Sequence, residues 1–353
     1  MKKAKWIITL VILAAIVGCV VALTQIPAAA ELQTPDATKL QTSAAVETKT
    51  EDVTDSEVSD TSEDELMFVS KYPAKGPGLA KASDGKWYYL YDGKPDPTYN
   101  GIVYRMGCYH YITNGKWDRK YNGFVKRDGI KYLFKKGKCD LSYTAWYKNG
   151  KKKYYIENGK AVTGWKTIDG AKYYFKKTGN MATETVKVNG RLEVFRTNGK
   201  FIKTTSMDKK AAKLSSNTKY LILVDCDRRV TKVYKGSKGK WEVVKNILST
   251  VGDTRVGNDT VKGTFYVGYS NWGNAVSRGY SFEDSDGHTL YYWTRFCNAY
   301  LFHSQLYERG TKTLTKAANG LGQELSHGCV RMRIKNAKWI YDNIPDGTKV
   351  VVY

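Results

Sequence analysis

The stretch Ser326-His327-Gly328-Cys329-Val330-Arg331, read together with Phe302-His303-Ser304 upstream, decides how the C-terminal half of this chain is built. A cysteine beside a glycine, with one histidine adjacent and another 26 residues away, provides what nucleophilic acyl transfer requires: a thiol, a base and exposed backbone N–H groups. A free thiol is mostly protonated at neutral pH, so the cysteine needs an imidazole to take its proton. The chain has only four histidines, and two of them, His303 and His327, lie in this stretch; His110 and His288 stand in unrelated loop-like contexts. Gly328 removes a side chain next to the nucleophile, so a substrate carbonyl can approach and local N–H groups can stabilise its oxyanion. If the backbone is extended, Arg331 shares a face with Cys329 and can hold a substrate carboxylate.

At these residues the chain resembles the L,D-transpeptidase catalytic domain, whose signature is an upstream histidine followed by Ser-His-Gly-Cys, a small apolar residue and Arg or Asn. The resemblance runs over about residues 216 to 353. Tyr220-Leu-Ile-Leu-Val-Asp225 and Val230-Thr-Lys-Val-Tyr234 look like the opening hairpin, and Ser249–Gly252 with Val261–Phe265 like the next strand and turn. Asn336–Tyr341 and Asp346–Tyr353 resemble the closing helix and final strand. Two departures are Lys262, where a proline is usual before the glycine, and a longer interval between 303 and 326; both touch loops around the pocket.

The resemblance implies a β-sandwich-like domain over 206–353 with a short helix, and a Cys329 nucleophile served by His303. Adjacency alone favours His327 as base, whereas the family pattern makes it a supporting residue. The Ser304 carbonyl would orient His303, Ser326 and Gly328 would shape the turn, and Arg331 would contact substrate. The reaction implied is acyl transfer on peptidoglycan stem peptides: Cys329 forms a thioester with the third residue of a tetrapeptide, D-Ala leaves, and an amine of another stem resolves the thioester into a 3→3 cross-link. Trimming by water, or attachment of wall proteins, uses the same chemistry. Carbapenems would acylate Cys329. A papain-like protease is disfavoured, because no long helix-forming run follows the cysteine and the expected downstream histidine and asparagine are missing. A non-catalytic wall-binding protein is the alternative of another class.

Composition divides the rest of the chain. Lys2, Lys3 and Lys5 precede an uncharged apolar run from Trp6 to Leu23, so residues 1–30 read as a signal-anchor or signal peptide. Ala28-Ala29-Ala30 offers a cleavage site, and Ile16-Val17-Gly18-Cys19 resembles a lipoprotein box, disfavoured by the apolar run that continues through Val20-Val21-Ala22-Leu23; each reading exports the remainder of the chain. Residues 31–70 are an acidic linker, with eleven Asp or Glu against Lys39 and Lys49 in 31–66, too poor in apolar residues to fold. By contrast, 71–205 holds 29 basic and 10 acidic residues. Inside a cell that balance would suggest nucleic acid; outside a membrane, the polyanions at hand are teichoic acid or other wall polymers and anionic lipid, so no nucleic-acid partner is expected.

Between 85 and 200 glycines recur in two series, Gly85, Gly107, Gly129, Gly150, Gly170, Gly190 and Gly93, Gly115, Gly137, Gly159, Gly179, Gly199. Short aromatic runs such as Lys172-Tyr173-Tyr174-Phe175 lie between them, which predicts stacked β-hairpins. The units resemble cell-wall-binding repeats of the choline- and glucan-binding type, most clearly from Gly164 to Phe175. Each is too small to fold alone, so they should stack into a β-solenoid over 71–205. Only Trp165 follows a glycine, and Trp146 follows an alanine, so a choline cage is largely missing; Trp146, Trp165, Tyr173 and Tyr174 are the candidate wall-polymer contacts, though such aromatics more often form core. Cys108, Cys139, Cys226 and Cys297 have no assignable partners. No CxxC or HExxH pattern occurs, and neither a metal nor a cofactor is expected.

Overall fold

The computed structural model describes residues 67–272, 276–316 and 320–353. The segment expected at 1–30 and all but the last residues of the acidic linker lie outside these. Among the described residues no helix is long and apolar enough to cross a membrane. The architecture is mostly β, with two α-helices among the described residues.

Six antiparallel hairpins fill the repeat region, from Pro77–Lys81 with Trp87–Tyr91 to Glu184–Val188 with Arg191–Phe195. The first glycine series closes the hairpins. Asp128 and Gly129, for example, both have left-handed φ (50° and 77°), the two-residue turn whose twist matches the flanking strands. The second series makes the turn after each hairpin. A Cβ on Gly137 would sit 2.1 Å from the Asp118 carbonyl, so the chain can double back there only without a side chain. Successive hairpins share aromatic cores: Tyr89 stacks on Tyr99 at 3.7 Å and Tyr111 on Tyr121 at 3.9 Å.

The proposed wall-polymer aromatics belong to these cores. Trp146 packs against Tyr155, Tyr173 and Phe175, and Trp165 against Tyr174, Phe195 and Phe201. A lysine ammonium lies over each indole, Lys153 at 4.3 Å from Trp146 and Lys172 at 4.4 Å from Trp165. That is where a cationic ligand would have to sit.

Two main sheets and a short parallel pair, Val251–Gly252 with Glu324–Ser326, form the C-terminal part. The larger orders its strands Glu242–Leu248, Val230–Lys235, Tyr220–Asp225, Lys349–Val352 and Gly263–Tyr266, with Tyr220–Asp225 parallel to Lys349–Val352. The smaller orders Arg278–Glu283, Thr289–Cys297, Tyr300–Ser304 and Val330–Met332, the last two parallel. Ile222, Val224, Val350 and Val352 of the first meet Phe296, Phe302, Val330 and Met332 of the second, joined by Ala337 and Ile340 of the closing helix Ile334–Asn343.

All six residues of Tyr220–Asp225 are buried, so the larger sheet is covered on its second face too. Leu221, Leu223, Tyr234 and Val351 pack there against Val194 and Ile202 of the last repeat. The same face receives Met207 and Ala211 of a helix, Thr205–Ala211, that the sequence reading did not assign. Its Asp208 is 2.6 Å from the Lys232 ammonium, whose side chain is 3% exposed, and accepts a hydrogen bond from the Tyr234 hydroxyl. The last repeat adds a pair between Glu184 and Arg333 and a hydrogen bond from Thr185 Oγ1 to the Asn246 carbonyl.

This packing sets two expected outcomes. Asp208→Ala leaves the Lys232 charge buried with the Thr204 hydroxyl and the more distant Glu193 as its remaining support, and should lower the unfolding free energy by about 3 kcal/mol in urea titrations. Adding Lys232→Met to it should recover part of that loss, and a double variant as unstable as the single one would show that the pair is not the cause. Because lysines occupy the indole faces, the chain should pass through a choline-substituted column unretained; retention reversed by free choline would contradict the core assignment of Trp146 and Trp165.

Candidate active site

The parallel pairing of two short strands builds the site. Phe302 faces Val330, His303 faces Arg331 and Ser304 faces Met332. Side chains alternate along strands, so Phe302, Val330 and Met332 enter the core while Leu301, His303, Cys329 and Arg331 share the opposite face. The neighbouring strand adds Trp293 and Arg295 to that face, Arg295 being paired with Leu301. These groups line one cavity of about 380 Å³, which also takes in Trp272, Phe282, Asp284, Leu290, Ala299, Leu306 and His327.

The turn before Cys329 is held by its own side chains. Ser326 Oγ accepts from the Gly328 N–H at 3.2 Å and donates to the Cys329 carbonyl at 2.6 Å. Gly328 has φ +115°, and a Cβ there would lie 2.5 Å from the Tyr300 ring. The glycine is therefore required by both backbone and space. Gly279 serves differently: across the sheet from Trp293, it leaves room for the indole, which a Cβ would approach to 2.6 Å.

His303 is 1% exposed. Burial, reinforced by the Arg331 guanidinium, pushes its pKa down to about 3, so the imidazole is neutral at physiological pH and able to accept a proton. Its Nδ1 is buried without a hydrogen bond of normal geometry, and the Ser304 carbonyl is the backbone acceptor acting on the ring. The Ser304 hydroxyl bonds elsewhere, accepting from the Tyr291 N–H and donating to the Gln305 carbonyl. Cys329 is half-buried, with Sγ 3.6 Å from the Ala299 carbonyl. Burial pushes its thiol pKa up, opposed by the Leu301 N–H and by Arg331 and Arg295. Burial thus disfavours charge on both groups, the thiolate of Cys329 and the imidazolium of His303.

Arg331 is 9% exposed with its Nε unpartnered, a buried cation on the face of Cys329. Burial pulls its pKa down, opposed by the Cys329 thiol and by Asp284 and Asp286. His327 is exposed at the cavity wall while His303 is buried, so the adjacent histidine is the less enclosed of the two. His110 is buried beside Cys108, 3.7 Å from its Sγ, and does not line the cavity. His288, Asp284 and Asp286 form a trio of possible ligand atoms within 4.8 Å of one another. Asp284 there accepts from the Asp286 and His288 N–H groups and so shapes a hairpin turn. Cys108, Cys139, Cys226, Cys297 and Cys329 are all free thiols.

Residues 219–352 match the L,D-transpeptidase catalytic domain family, and residues 162–205 match a choline-binding repeat. The chain carries an L,D-transpeptidase catalytic domain. A putative L,D-transpeptidase, YciB of Bacillus subtilis, is 34% identical over 133 residues, 37% of this chain and 65% of that relative. The chain therefore spans less than two thirds of that relative's length. An L,D-transpeptidase from Mycobacterium tuberculosis is 20% identical, with 38% of this chain and 57% of that one covered and a TM-score of 0.29. Choline binding protein F of Streptococcus pneumoniae is 26% identical over 36% of this chain and 41% of its own, at a TM-score of 0.26.

Sequence reasoning missed Trp293, Arg295, Asp284 and Gly279. The signal was present for the first two, since Trp293 and Arg295 are spaced by two in a strand-like run next to the histidine strand. The raised thiol pKa gives a pH test. Alkylation of Cys329 by iodoacetamide should still be climbing above pH 9, because the thiolate fraction rises only as pH passes the elevated pKa. Arg331→Leu should slow it further at pH 8 by removing a charge that favours the thiolate. A rate already level below pH 7 would mean a preformed thiolate–imidazolium pair.

Proposed function

We propose that the chain is a peptidoglycan L,D-transpeptidase that forms 3→3 cross-links between stem peptides through a thioester on Cys329. The observation that carries this reading is the convergence of Cys329, a neutral buried His303 and a buried Arg331 on one face of two adjacent strands, at the floor of a single cavity. His303 takes the thiol proton as sulfur attacks the carbonyl of the third residue of a donor tetrapeptide. The oxyanion forms beside the Ser326–Cys329 turn, and Arg331 holds a substrate carboxylate. The C–N bond breaks, the D-Ala amine leaves with the proton from His303, and the acyl group stays on sulfur. A side-chain amine of a second stem then attacks the thioester, gives its excess proton to His303, and restores the thiol as the new amide forms. The apolar walls, Trp293, Leu301 and Leu306 among them, limit access of water to the thioester.

The work would be done outside the cytoplasmic membrane, with residues 1–30 as anchor or signal and 31–70 as the reach into the wall.

The test is incubation of the full chain with a disaccharide-tetrapeptide and mass spectrometry of the products. Cross-linked dimers should form, Cys329→Ala should abolish them, and His303→Ala should reduce them by roughly a hundredfold or more, the usual contribution of a positioned base. Release of D-Ala without dimers would make water the acceptor and the enzyme a carboxypeptidase. Dimers formed equally by Cys329→Ala would remove the thioester from the mechanism. Meropenem should add its mass to Cys329 and to no other thiol.

A further inference from the structure

The cavity around Cys329 holds a second guanidinium, Arg295, to which the reaction above gives no task. The strand registers place it. Arg295 faces Leu301 across one strand pair, and Leu301 lies beside Cys329 across the next, one step before the Phe302–Val330 pair. His303 and Arg331 form the adjoining row. Strands about 4.8 Å apart with a rise of about 3.3 Å per residue put the Arg331 Cα roughly 7 Å from that of Cys329 along its own strand, and the Arg295 Cα roughly 10 Å away across the sheet. The two cations therefore flank Cys329 in different directions.

Arg295 is held from several sides. Its Nε donates to the Val276 carbonyl at 3.1 Å and its Nη1 to the Asn298 carbonyl, while the guanidinium lies 5.6 Å from the Trp272 ring and 5.8 Å from the Trp293 ring. The next carbonyl along, that of Ala299, is the one 3.6 Å from Cys329 Sγ. Among the described residues Nη2 makes no hydrogen bond, and no carboxylate pairs with Arg295. Asp284, the one carboxylate among the described lining residues, sits in the turn at the other end of the Arg295 strand and acts on Arg331 instead.

A cation already aligned, with one donor still open, suits a carboxylate, because little side-chain freedom is lost on pairing. Arg331 is an independent sign of a ligand in the same cavity: it is 9% exposed, and its buried Nε has no partner. Two guanidinium groups without paired counter-ions on one face match a ligand that carries two carboxylates around the bond to be broken.

We propose that Arg295 is a specificity residue that takes a second carboxylate of the donor stem, while Arg331 takes that of the terminal D-Ala. Distance makes the division. The D-Ala carboxylate is separated from the scissile carbonyl only by its own nitrogen and α-carbon, within reach of the nearer Arg331. A carboxylate at the end of the third residue's side chain, or on the D-Glu before it, lies several bonds further and reaches across the sheet. The inference rests on the transpeptidase reading for its ligand, and binding is measured so that the two can fail separately.

The experiment uses the full chain carrying Cys329→Ala, which removes the thiol and isolates binding. It is titrated by calorimetry with the tetrapeptide L-Ala-γ-D-Glu-diaminopimelate-D-Ala and with three analogues, each with one carboxylate replaced by a carboxamide, at D-Ala, at the diaminopimelate side chain or at D-Glu. Adding Arg295→Gln should weaken binding of the unmodified peptide by about tenfold, as loss of one charge-assisted pair would. One of the two inner carboxamides should already be weakened by that factor and lose nothing more on Arg295→Gln, which names the carboxylate that Arg295 holds. The D-Ala carboxamide should still lose the full factor. Arg295→Lys should show the same selectivity at a smaller factor, so the test stands if the glutamine variant does not fold. An equal loss for all four peptides would overturn the inference and leave Arg295 as a clasp for the Asn298 turn; so would a loss coupled to the D-Ala carboxamide instead. Tetrapeptide binding indifferent to Arg295 would overturn it and leave the transpeptidase reading standing, whereas a chain that binds no tetrapeptide would overturn both.

Discussion

The pairing of Tyr300–Ser304 with Val330–Met332 is the constraint on which the site depends. Because side chains alternate with a period of two, a slip of one residue in either strand would turn His303 or Cys329 into the core and bring Phe302 or Val330 out. The core prevents this. Phe302, Val330 and Met332 are fully buried among Ile222, Val224, Val350 and Ile340, so the energy that fixes the register comes from the face opposite the chemistry. The closing helix follows the cysteine strand directly and buries Ala337 and Ile340 in the same cluster, tying the Cys329 backbone to the buried core of the domain.

Given that frame, burial and the neighbouring guanidinium act on the charge states of Cys329 and His303. Burial disfavours charge on both partners, raising the thiol pKa of Cys329 and lowering the imidazole pKa of His303. Arg331 acts on both in the same sense, since a positive charge favours thiolate and disfavours imidazolium. In the reaction proposed above, such a neutral pair would pass the proton during attack, and the Arg331 charge would meet the negative charge of substrate and tetrahedral adduct.

The motif around Cys329 was legible because Gly328, Ser326 and His303 each perform a local task that few other residue types can. The hairpins were legible for a related reason: pairs such as Asp128-Gly129 dictate a turn on their own. What the sequence withheld was long-range. Nothing near Lys232 in the chain announces that it is buried against Asp208, 24 residues earlier, and nothing near Gly279 announces the Trp293 ring. The candidate wall-polymer residues Trp146 and Trp165 were ambiguous for the same reason, because an aromatic in a hairpin strand packs either on its neighbour or on a ligand, and only the stacking of the next hairpin decides.

The fully apolar run Tyr220-Leu-Ile-Leu-Val carried more information than a hairpin label. A strand covered on one face alternates, and this one does not. Its second face is covered by Val194 and Ile202 from the last repeat and by Met207 and Ala211 from the connecting helix. Removing that cover would expose Leu221, Leu223, Tyr234 and Val351 together, at about 2 kcal/mol of lost burial for each large side chain. The last repeat is therefore part of the catalytic domain's hydrophobic core as much as it is the end of the repeat array. The described residues pack as one unit, and Arg333, four residues beyond Cys329, is itself bonded to the repeat through Glu184, so the repeat and the Cys329 strand are held by the same packing.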